Sequence, residues 1–404
     1  MNVISRAVAA ALFSAAAMGA AAPAAAQASA GVIKIGFITD MSGIFADIDG
    51  AGGVEAIRMA IADFGGTVLG KKIELLVADH QNKADIAANK AREWIDQQGI
   101  DMIAAGTNSS ANLSIAKIAS EKKRPFLALG GMSARLSNED CTPYTVQYAV
   151  DTVALARGTG GAMMAQGGKT WFFLTADYAF GHSLEKDTTE VIKDKGGTVL
   201  GSVKYPLAAA DFSSFLLQAL GTKAEVLGLA SGSGDNVNAI KGAREFGLTR
   251  NMKLAGLLMF INDTHSLGLD TAQGMYLTEG WYWDQSPESR AWAKRFFEKM
   301  KKMPSLLQAG DYSATMHYLK AVKAAGTVDA DKVMAKMREL KVNDMFARNG
   351  VVRPDGRMVY DLSLMQIKSP GESKYPWDYY KMVQKISGDQ AFTTKTESKC
   401  SLWK

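Results

Sequence analysis

Two serine- and glycine-containing loops follow neighbouring strand patterns in the N-terminal half of the sequence. Gly106-Thr-Asn-Ser-Ser110 opens a helix after one strand, and Gly130-Gly-Met-Ser133 follows the next strand. N–H groups and hydroxyls at a helix start suit an anionic ligand group, but serines there are also good N-caps, so both roles stay open. Paired glycines allow close approach to the backbone. Together the loops predict a carboxylate pocket, with the candidate ligand residues Ser109, Ser110, Gly131, Met132 and Ser133.

Aromatic and apolar residues follow the strand patterns of the second half. They lie in Asp177-Tyr-Ala-Phe-Gly181, in Leu257-Leu-Met-Phe260 and in Glu279-Gly-Trp-Tyr-Trp283, while Ser231-Gly-Ser-Gly-Asp-Asn236 adds a polar loop. A single aromatic residue is more often packing than a ligand contact, but a concentration at strand ends predicts an aromatic-lined pocket. The candidate ligand residues here are Tyr178, Phe180, Asp235, Met259 and Phe260.

Several catalytic motifs are incomplete. Gly168-Lys-Thr170 would be the end of a phosphate-binding loop only if Met163 were glycine. Gly232-Ser-Gly234 lacks the third glycine of a dinucleotide loop, because Val237 occupies that position. The 4 histidines show no paired metal-ligand spacing. The sequence therefore predicts no catalytic residues, no cofactor and no metal site.

Alternating strand and helix patterns would position these loops. A βαβα order predicts an α/β fold with parallel sheets covered by helices on both faces, in which ligands bind beyond the carboxyl ends of the strands. The predicted strands are 32–38, 72–77, 101–105, 125–129, 171–174, 200–204, 226–229, 254–258, 275–281 and 358–365. The predicted helices are 50–64, 85–98, 111–121, 152–166 and 183–195, with helices dominating 287–340.

The strand and helix order restarts near Val150, which predicts two doubly wound lobes. The chain is expected to cross between them near Val150, Leu277 and Val352. The first lobe is predicted to contain residues 29–149 and 278–352, and the second lobe 150–277 and 353–404. No low-complexity linker separates them, as expected for lobes that several chain segments join into a hinge.

The first 28 residues have the pattern of a secretory signal peptide. Arg6 supplies a positive charge before the apolar segment 7–22, and Ala24-Ala-Ala-Gln-Ala28 offers small residues at the cleavage spacing. The apolar segment is shorter than the roughly 20 residues of a membrane-spanning helix. We therefore expect removal of residues 1–28 and a soluble protein in the periplasm.

Export to an oxidising compartment gives the 2 cysteines a role. A lone pair there usually forms a disulfide, and Cys400 lies in a C-terminal tail that would otherwise fray. We predict a Cys141–Cys400 bond that ties the tail to the first lobe. The net charge of +5 is scattered, which argues against nucleic-acid binding, and we expect a monomer.

These segments resemble the periplasmic ligand-binding proteins of the branched-chain amino acid (Leu/Ile/Val) type. The matching pieces are Lys34-Ile-Gly-Phe-Ile-Thr-Asp-Met-Ser-Gly43, the two loops that begin at Gly106 and Asp177, and Gln308-Ala-Gly-Asp-Tyr312. The resemblance covers nearly the whole chain after the signal segment. It implies a type I flytrap that closes on one ligand and delivers it to an ATP-driven (ABC) permease.

The resemblance also implies roles for particular residues. The loops at Ser109 and Ser133 would hold a ligand carboxylate, and Phe180 would lie against the ligand. Amino-acid-binding members have an acidic residue where this chain reads Leu258-Met-Phe260, and Ile48 replaces a common aromatic residue. An unpaired buried ammonium group is very costly, so we expect an aromatic or otherwise apolar carboxylate. An amino acid ligand, with Asp235 as the acid, and a sensor role are the alternatives.

Overall fold

The computed structural model describes residues 31–404, so the predicted signal peptide lies outside the described residues. The strands are β1 (Val32–Thr39), β2 (Thr67–Val68), β3 (Lys71–Asp79), β4 (Met102–Ala105), β5 (Phe126–Ala128), β6 (Thr145–Gln147), β7 (Thr170–Ala176), β8 (Thr198–Tyr205), β9 (Val226–Ala230), β10 (Lys253–Gly256), β11 (Tyr276–Glu279), β12 (Val351–Val352), β13 (Met358–Val359), β14 (Leu362–Ile367) and β15 (Tyr380–Ile386).

The helices alternate with these strands. They are α1 (Gly50–Asp63), α2 (Ala84–Gln97), α3 (Ser109–Glu121), α4 (Thr152–Leu155), α5 (Gly161–Ala165), α6 (Ala179–Asp194), α7 (Ser213–Thr222), α8 (Gly234–Glu245), α9 (Ile261–Leu267), α10 (Leu269–Ala272), α11 (Pro287–Met300), α12 (Leu306–Ala325), α13 (Ala330–Glu339) and α14 (Gly388–Ala391). A π-helical turn, Ala156–Gly160, joins α4 to α5, and short 3₁₀ turns cover Ala134–Ser137 and Leu248–Arg250. No helix within residues 31–404 is long and apolar enough to span a membrane.

The first lobe is built on a six-stranded sheet with the order β2-β3-β1-β4-β5-β6. All its pairs are parallel except β2 with β3. β4 and β5 are buried along their whole length, as expected for strands covered by helices on both faces. α12 returns late in the sequence and packs against α1. The predicted doubly wound α/β architecture is confirmed.

The second lobe contains a parallel four-stranded sheet with the order β10-β9-β7-β8. A separate antiparallel sheet, β11-β14-β15, extends this half of the molecule. The apolar strand β7, Thr-Trp-Phe-Phe-Leu-Thr-Ala, is buried except at its first residue. Residues that follow the carboxyl ends of strands in both parallel sheets line one cleft between the lobes.

The helix predicted over 183–195 begins earlier, at Ala179, so Phe180 lies in its first turn. Two other predicted elements are divided differently in the structure. The strand expected over residues 358–365 is two strands, because β13 pairs with β12 while β14 pairs with β11 and β15. The chain changes partners at Tyr360 and Asp361. The helix expected over 152–166 contains the π-helical turn, which lies where Gly158 meets β11 of the antiparallel sheet, since a Cβ there would be 2.2 Å from Thr278 Oγ1. The predicted lobe boundaries stay a prediction.

The C-terminal tail runs from the second lobe to the first. Arg157 of the π-helical turn donates to the carbonyl of Phe392 at 2.8 Å. Farther along the tail, Cys400 forms a disulfide with Cys141, with 5.7 Å between their Cα atoms. The structure thus contains the predicted disulfide, and the tail bridges the two halves of the molecule.

Candidate functional site

A small cavity of about 20 Å³, room for about one water molecule, lies between the lobes, at the carboxyl ends of both parallel sheets. The residues that line the cavity are Phe45, Ile48, Thr107, Asn108, Ser109, Gly130, Met132, Tyr178, Phe180, Gly232, Leu258, Phe260 and Leu307. No acidic or basic side chain is among them.

The loop between β4 and α3 supplies the polar end of this cavity. α3 begins at Ser109, and the side chain of Asn108 caps it by accepting from the N–H of Ala111 at 3.1 Å. Capping is therefore the role of Asn108, and neither Ser109 nor Ser110 performs it. Ser109 Oγ accepts from the N–H of Ser133 at 3.0 Å. Its hydroxyl hydrogen is left available to a ligand in the cavity.

A pair of buried carboxyl groups supports this loop from below. Asp49 Oδ2 accepts from Thr39 Oγ1 at 2.6 Å and from the N–H of Thr107 at 3.0 Å. Asp311 of α12 lies beside Asp49, and burial together with the charge of Asp49 raises the pKa of Asp311 well above its usual range. A Cβ at Gly106 would lie only 1.7 Å from Asp49 Oδ2. Glycine is thus required where the loop leaves β4.

The other predicted residues of the first lobe take different positions. Met132 lines the cavity, whereas Gly131 does not and its carbonyl accepts from Gln147 Nε2 at 2.8 Å. Ser110 Oγ accepts from the N–H of Ala179 across the cleft at 3.3 Å. Ser133 Oγ lies 2.7 Å from Ser183 Oγ of the second lobe. The hydroxyls of Ser110 and Ser133 therefore join the lobes, and neither residue lines the cavity.

Aromatic side chains form the apolar part of the cavity. Tyr178 and Phe180 flank the start of α6 with their ring centroids 6.0 Å apart. Phe45 approaches Tyr178 from the first lobe at 6.4 Å. Phe260 also lines the cavity, but Met259 does not, and its sulfur lies 3.9 Å from Asn236 Nδ2. The structure thus brings Tyr178, Phe180 and Phe260 together with Ser109.

Two buried acids lie in the second lobe near the cavity but do not line it. Asp235 Oδ2 accepts from the N–H of Ala208 at 3.3 Å, and burial raises the pKa of Asp235 to about 6. Asp263 Oδ2 accepts from the N–H of Phe260 at 2.9 Å, and burial raises the pKa of Asp263 to about 7. Both carboxyl groups accept hydrogen bonds from backbone N–H groups of the second lobe, and neither lines the cavity.

The sequence analysis missed part of the lining. Phe45 lies in the loop after β1, just as the candidate residues lie in loops after other strands. The rule that ligands bind beyond the carboxyl ends of the strands, the strand-end rule, could therefore have found it. Ile48, Gly130 and Leu258 were noted but not selected. Leu307 comes from the start of α12, far along the chain, and no local pattern marks it. Within residues 31–404 no group of three or more His, Cys, Asp or Glu side chains is placed so that it could hold a metal ion.

Comparison with known proteins identifies the class. A family model for periplasmic binding proteins matches residues 32–373, and the chain belongs to this family. A periplasmic binding protein from Burkholderia mallei is 62% identical, with a TM-score of 0.92 over 93% of this chain and 100% of that chain. A branched chain amino acid ABC transporter periplasmic ligand-binding protein from Burkholderia xenovorans is 38% identical, with a TM-score of 0.80 over 92% and 100%.

More distant proteins share the fold. A solute-binding protein of an ABC transporter from R. palustris, solved in complex with benzoate, is 18% identical with a TM-score of 0.81 over 92% of this chain and 100% of that chain. The Leu/Ile/Val-binding protein homolog 6 of Brucella abortus is 25% identical over 191 residues, 47% of this chain, and the match spans about half of that relative's length. The chain is a periplasmic solute-binding protein of the ABC-transporter type, and the proteins of this class bind their solutes without catalysing a reaction.

Proposed function

We propose that this protein binds a small carboxylate with an aromatic or otherwise apolar body and delivers it to an ABC importer. The observation that carries the proposal is the composition of the cavity lining, which has hydroxyl, amide and backbone groups at one end and aromatic side chains elsewhere, without an acid. A buried ammonium group without a partner would cost several kcal/mol. A free amino acid is therefore disfavoured.

The polar end suits a carboxylate without a basic residue. The Ser109 hydroxyl is available as a donor, and the first N–H groups of α3 have no carbonyl partner within the helix. Such groups, aided by the helix dipole, bind anions. The aromatic rings of Tyr178, Phe180 and Phe260 would supply most of the affinity by excluding water from the ligand body.

The fold neighbour that holds benzoate supports this ligand class by analogy, whereas the 38% identical neighbour is named for branched-chain amino acids. The amino acid reading would need an acid in the cavity. Asp235, the candidate for that role, is engaged by the backbone of Ala208. The cavity chemistry therefore favours the carboxylate.

A thermal-shift screen with matched pairs tests the ligand class. 3-Phenylpropionate and phenylalanine differ by one ammonium group, as do 4-methylpentanoate and leucine, and benzoate extends the set to a shorter acid. We expect the melting temperature to rise with one or more of the acids and not with their amino acid counterparts. Stabilisation by leucine or phenylalanine alone would overturn the proposal.

Variants at the strand end sharpen the test. Leu258→Glu places an acid where amino-acid-binding relatives have one, so it should weaken binding of the acids at least 10-fold through charge repulsion. Leu217→Glu is the control, because Leu217 is 55% exposed on α7. Unchanged affinity in Leu258→Glu would show that the carboxylate does not bind in this cavity.

Export and delivery are parts of the same proposal. We expect N-terminal sequencing of the exported protein to begin within residues 27–30, after signal cleavage. We expect the mature protein to sediment as a monomer and, when loaded with ligand, to raise ATP hydrolysis by its inner-membrane permease in proteoliposomes. Ligand recovered unchanged with no permease response would favour the sensor role.

A further inference from the structure

Two polar side chains of α6 face the first lobe from one side of the helix. Ser183 and Asp187 are four residues apart, so they lie one above the other on the helix surface. Both are buried. Neither lines the ligand cavity, and both border a separate space of about 170 Å³ at the edge of the cleft. Their hydrogen-bond partners are Ser133 of the opposite lobe and Thr152 at the chain crossing next to it, while Lys186 on the same helix lies 3.7 Å from Asp187 Oδ1.

The first connection runs from α6 to the ligand site through Ser133. Ser183 Oγ lies 2.7 Å from Ser133 Oγ. The N–H of the same Ser133 donates to Ser109 Oγ at 3.0 Å. Ser109 lines the cavity. The interlobe contact is therefore separated from the ligand-facing hydroxyl by a single residue.

The second connection runs through Thr152 at the start of α4. Thr152 Oγ1 donates to Asp187 Oδ2 at 2.6 Å and accepts from the N–H of Ala134 at 3.1 Å. Because the carboxylate takes the hydroxyl hydrogen of Thr152, the lone pairs of that oxygen face the N–H of Ala134. The loop is thus held at two successive residues, Ser133 and Ala134.

We propose that Ser183 and Asp187 are positioning residues that complete the ligand site on closure, by fixing the 131–134 loop so that the Ser109 hydroxyl points at the ligand. This inference rests on the proposed function for the role of Ser109. Opening of the cleft would separate Ser133 from Ser183 and would leave the N–H of Ser133 free to move away from Ser109. Helix α6 of the second lobe therefore orients the Ser109 hydroxyl of the first lobe through Ser133, without contacting Ser109 itself.

The affinity test uses benzoate as the probe and stopped-flow kinetics as the readout. Ser183→Ala should raise the dissociation constant about 3- to 10-fold, the range expected for one net hydrogen bond, and the change should lie in the dissociation rate because the contact exists only after closure. The melting temperature of the unliganded variant should stay unchanged. Ser183→Thr keeps the hydroxyl, has the adjacent space for its methyl group, and should restore the affinity.

The second connection is tested with a matched set. Asp187→Ala removes the acceptor and should weaken benzoate binding, whereas Asp187→Asn keeps an oxygen acceptor for Thr152 and should bind within about 2-fold of wild type. Glu190→Gln is the control on the exposed side of α6. Unchanged dissociation rates in Ser183→Ala and Asp187→Ala, or equal losses in unliganded stability, would overturn the proposal.

A cross-link tests the interlobe geometry independently of the ligand. In Ser133→Cys/Ser183→Cys the two sulfurs would replace oxygens that are 2.7 Å apart, close enough for a disulfide when the lobes close. Intact mass should show a second disulfide beside Cys141–Cys400, and Ser133→Cys/Glu190→Cys should not form one. If none of the acids of the thermal-shift set binds but the cross-link forms, the ligand class is wrong and the closure contact stands. A missing cross-link overturns the positioning role.

Discussion

Removing the Cys141–Cys400 disulfide should lower the stability of the whole protein. The bond joins residues 259 positions apart in a chain of 404, so it closes a loop of about two thirds of the unfolded chain. The chain-entropy relation gives about 5 kcal/mol for a loop of that length. With an unfolding entropy of ~2.1 cal/mol/K per residue, a folded chain of this size has a total of about 0.8 kcal/mol/K. The predicted fall in melting temperature is therefore about 6 °C.

Calorimetry on Cys141→Ser/Cys400→Ser and on wild type, each with and without reductant, measures this effect. Reductant should lower the melting temperature of the wild type alone, and the double variant serves as the control for other effects of the reagent. The tail keeps noncovalent contacts, such as the hydrogen bond from Arg353 to the carbonyl of Thr393 at 2.8 Å. A shift below about 1 °C would refute the entropic reasoning and show that the tail detaches before the lobes unfold.

Three further predictions concern the cavity and its support. Phe180→Ala should raise the ligand dissociation constant about 10- to 100-fold through lost apolar burial, measured by calorimetry, while Phe246→Ala at an exposed position leaves it unchanged. Asp263 has a raised folded-state pKa of about 7, so the stability that its neutral form contributes is present below about pH 4 and is lost as the pH rises through about 7. Asp263→Asn should therefore gain on wild type by on the order of 2 kcal/mol in urea unfolding between pH 5 and 8, and parallel curves would refute this. Gly106→Ala should cost about 3 kcal/mol or more, because its Cβ would meet Asp49 and Thr39, whereas Gly221→Ala in α7, with nothing within 4 Å, should be neutral or stabilising in the same assay.

The fold could be predicted from the sequence because its signals are local. Buried strands such as β4 and β7 are apolar runs bounded by turn residues, and amphipathic helices separate them. The predicted strand over 358–365 was wrong because its division depends on partners far along the chain, with β13 pairing to β12 and β14 to β11. The local residue pattern does not indicate which strand each half of this segment pairs with.

The site was only partly accessible to sequence reasoning. The strand-end rule located Ser109, Met132, Tyr178, Phe180 and Phe260, all of which line the cavity. The same rule cannot say which way a hydroxyl points. Ser133 follows its strand as Ser109 does, yet its hydroxyl faces Ser183 on the opposite lobe. That direction is set by how the lobes meet.

The contacts between the lobes outside the cavity are mostly short polar side chains against polar groups. Ser110 accepts from the backbone of Ala179, Ser233 donates to the carbonyl of Ile44 at 2.9 Å, and Asn262 donates to Asp47. Water can satisfy each of these groups when the cleft opens, so opening and closing exchange hydrogen bonds of similar strength. These polar contacts therefore contribute little net preference for either state, and the contacts that a ligand makes with both lobes would decide how far the population shifts to the closed state. Under the proposed function, the same exchange would let an importer reopen the cleft at a small cost in hydrogen bonds.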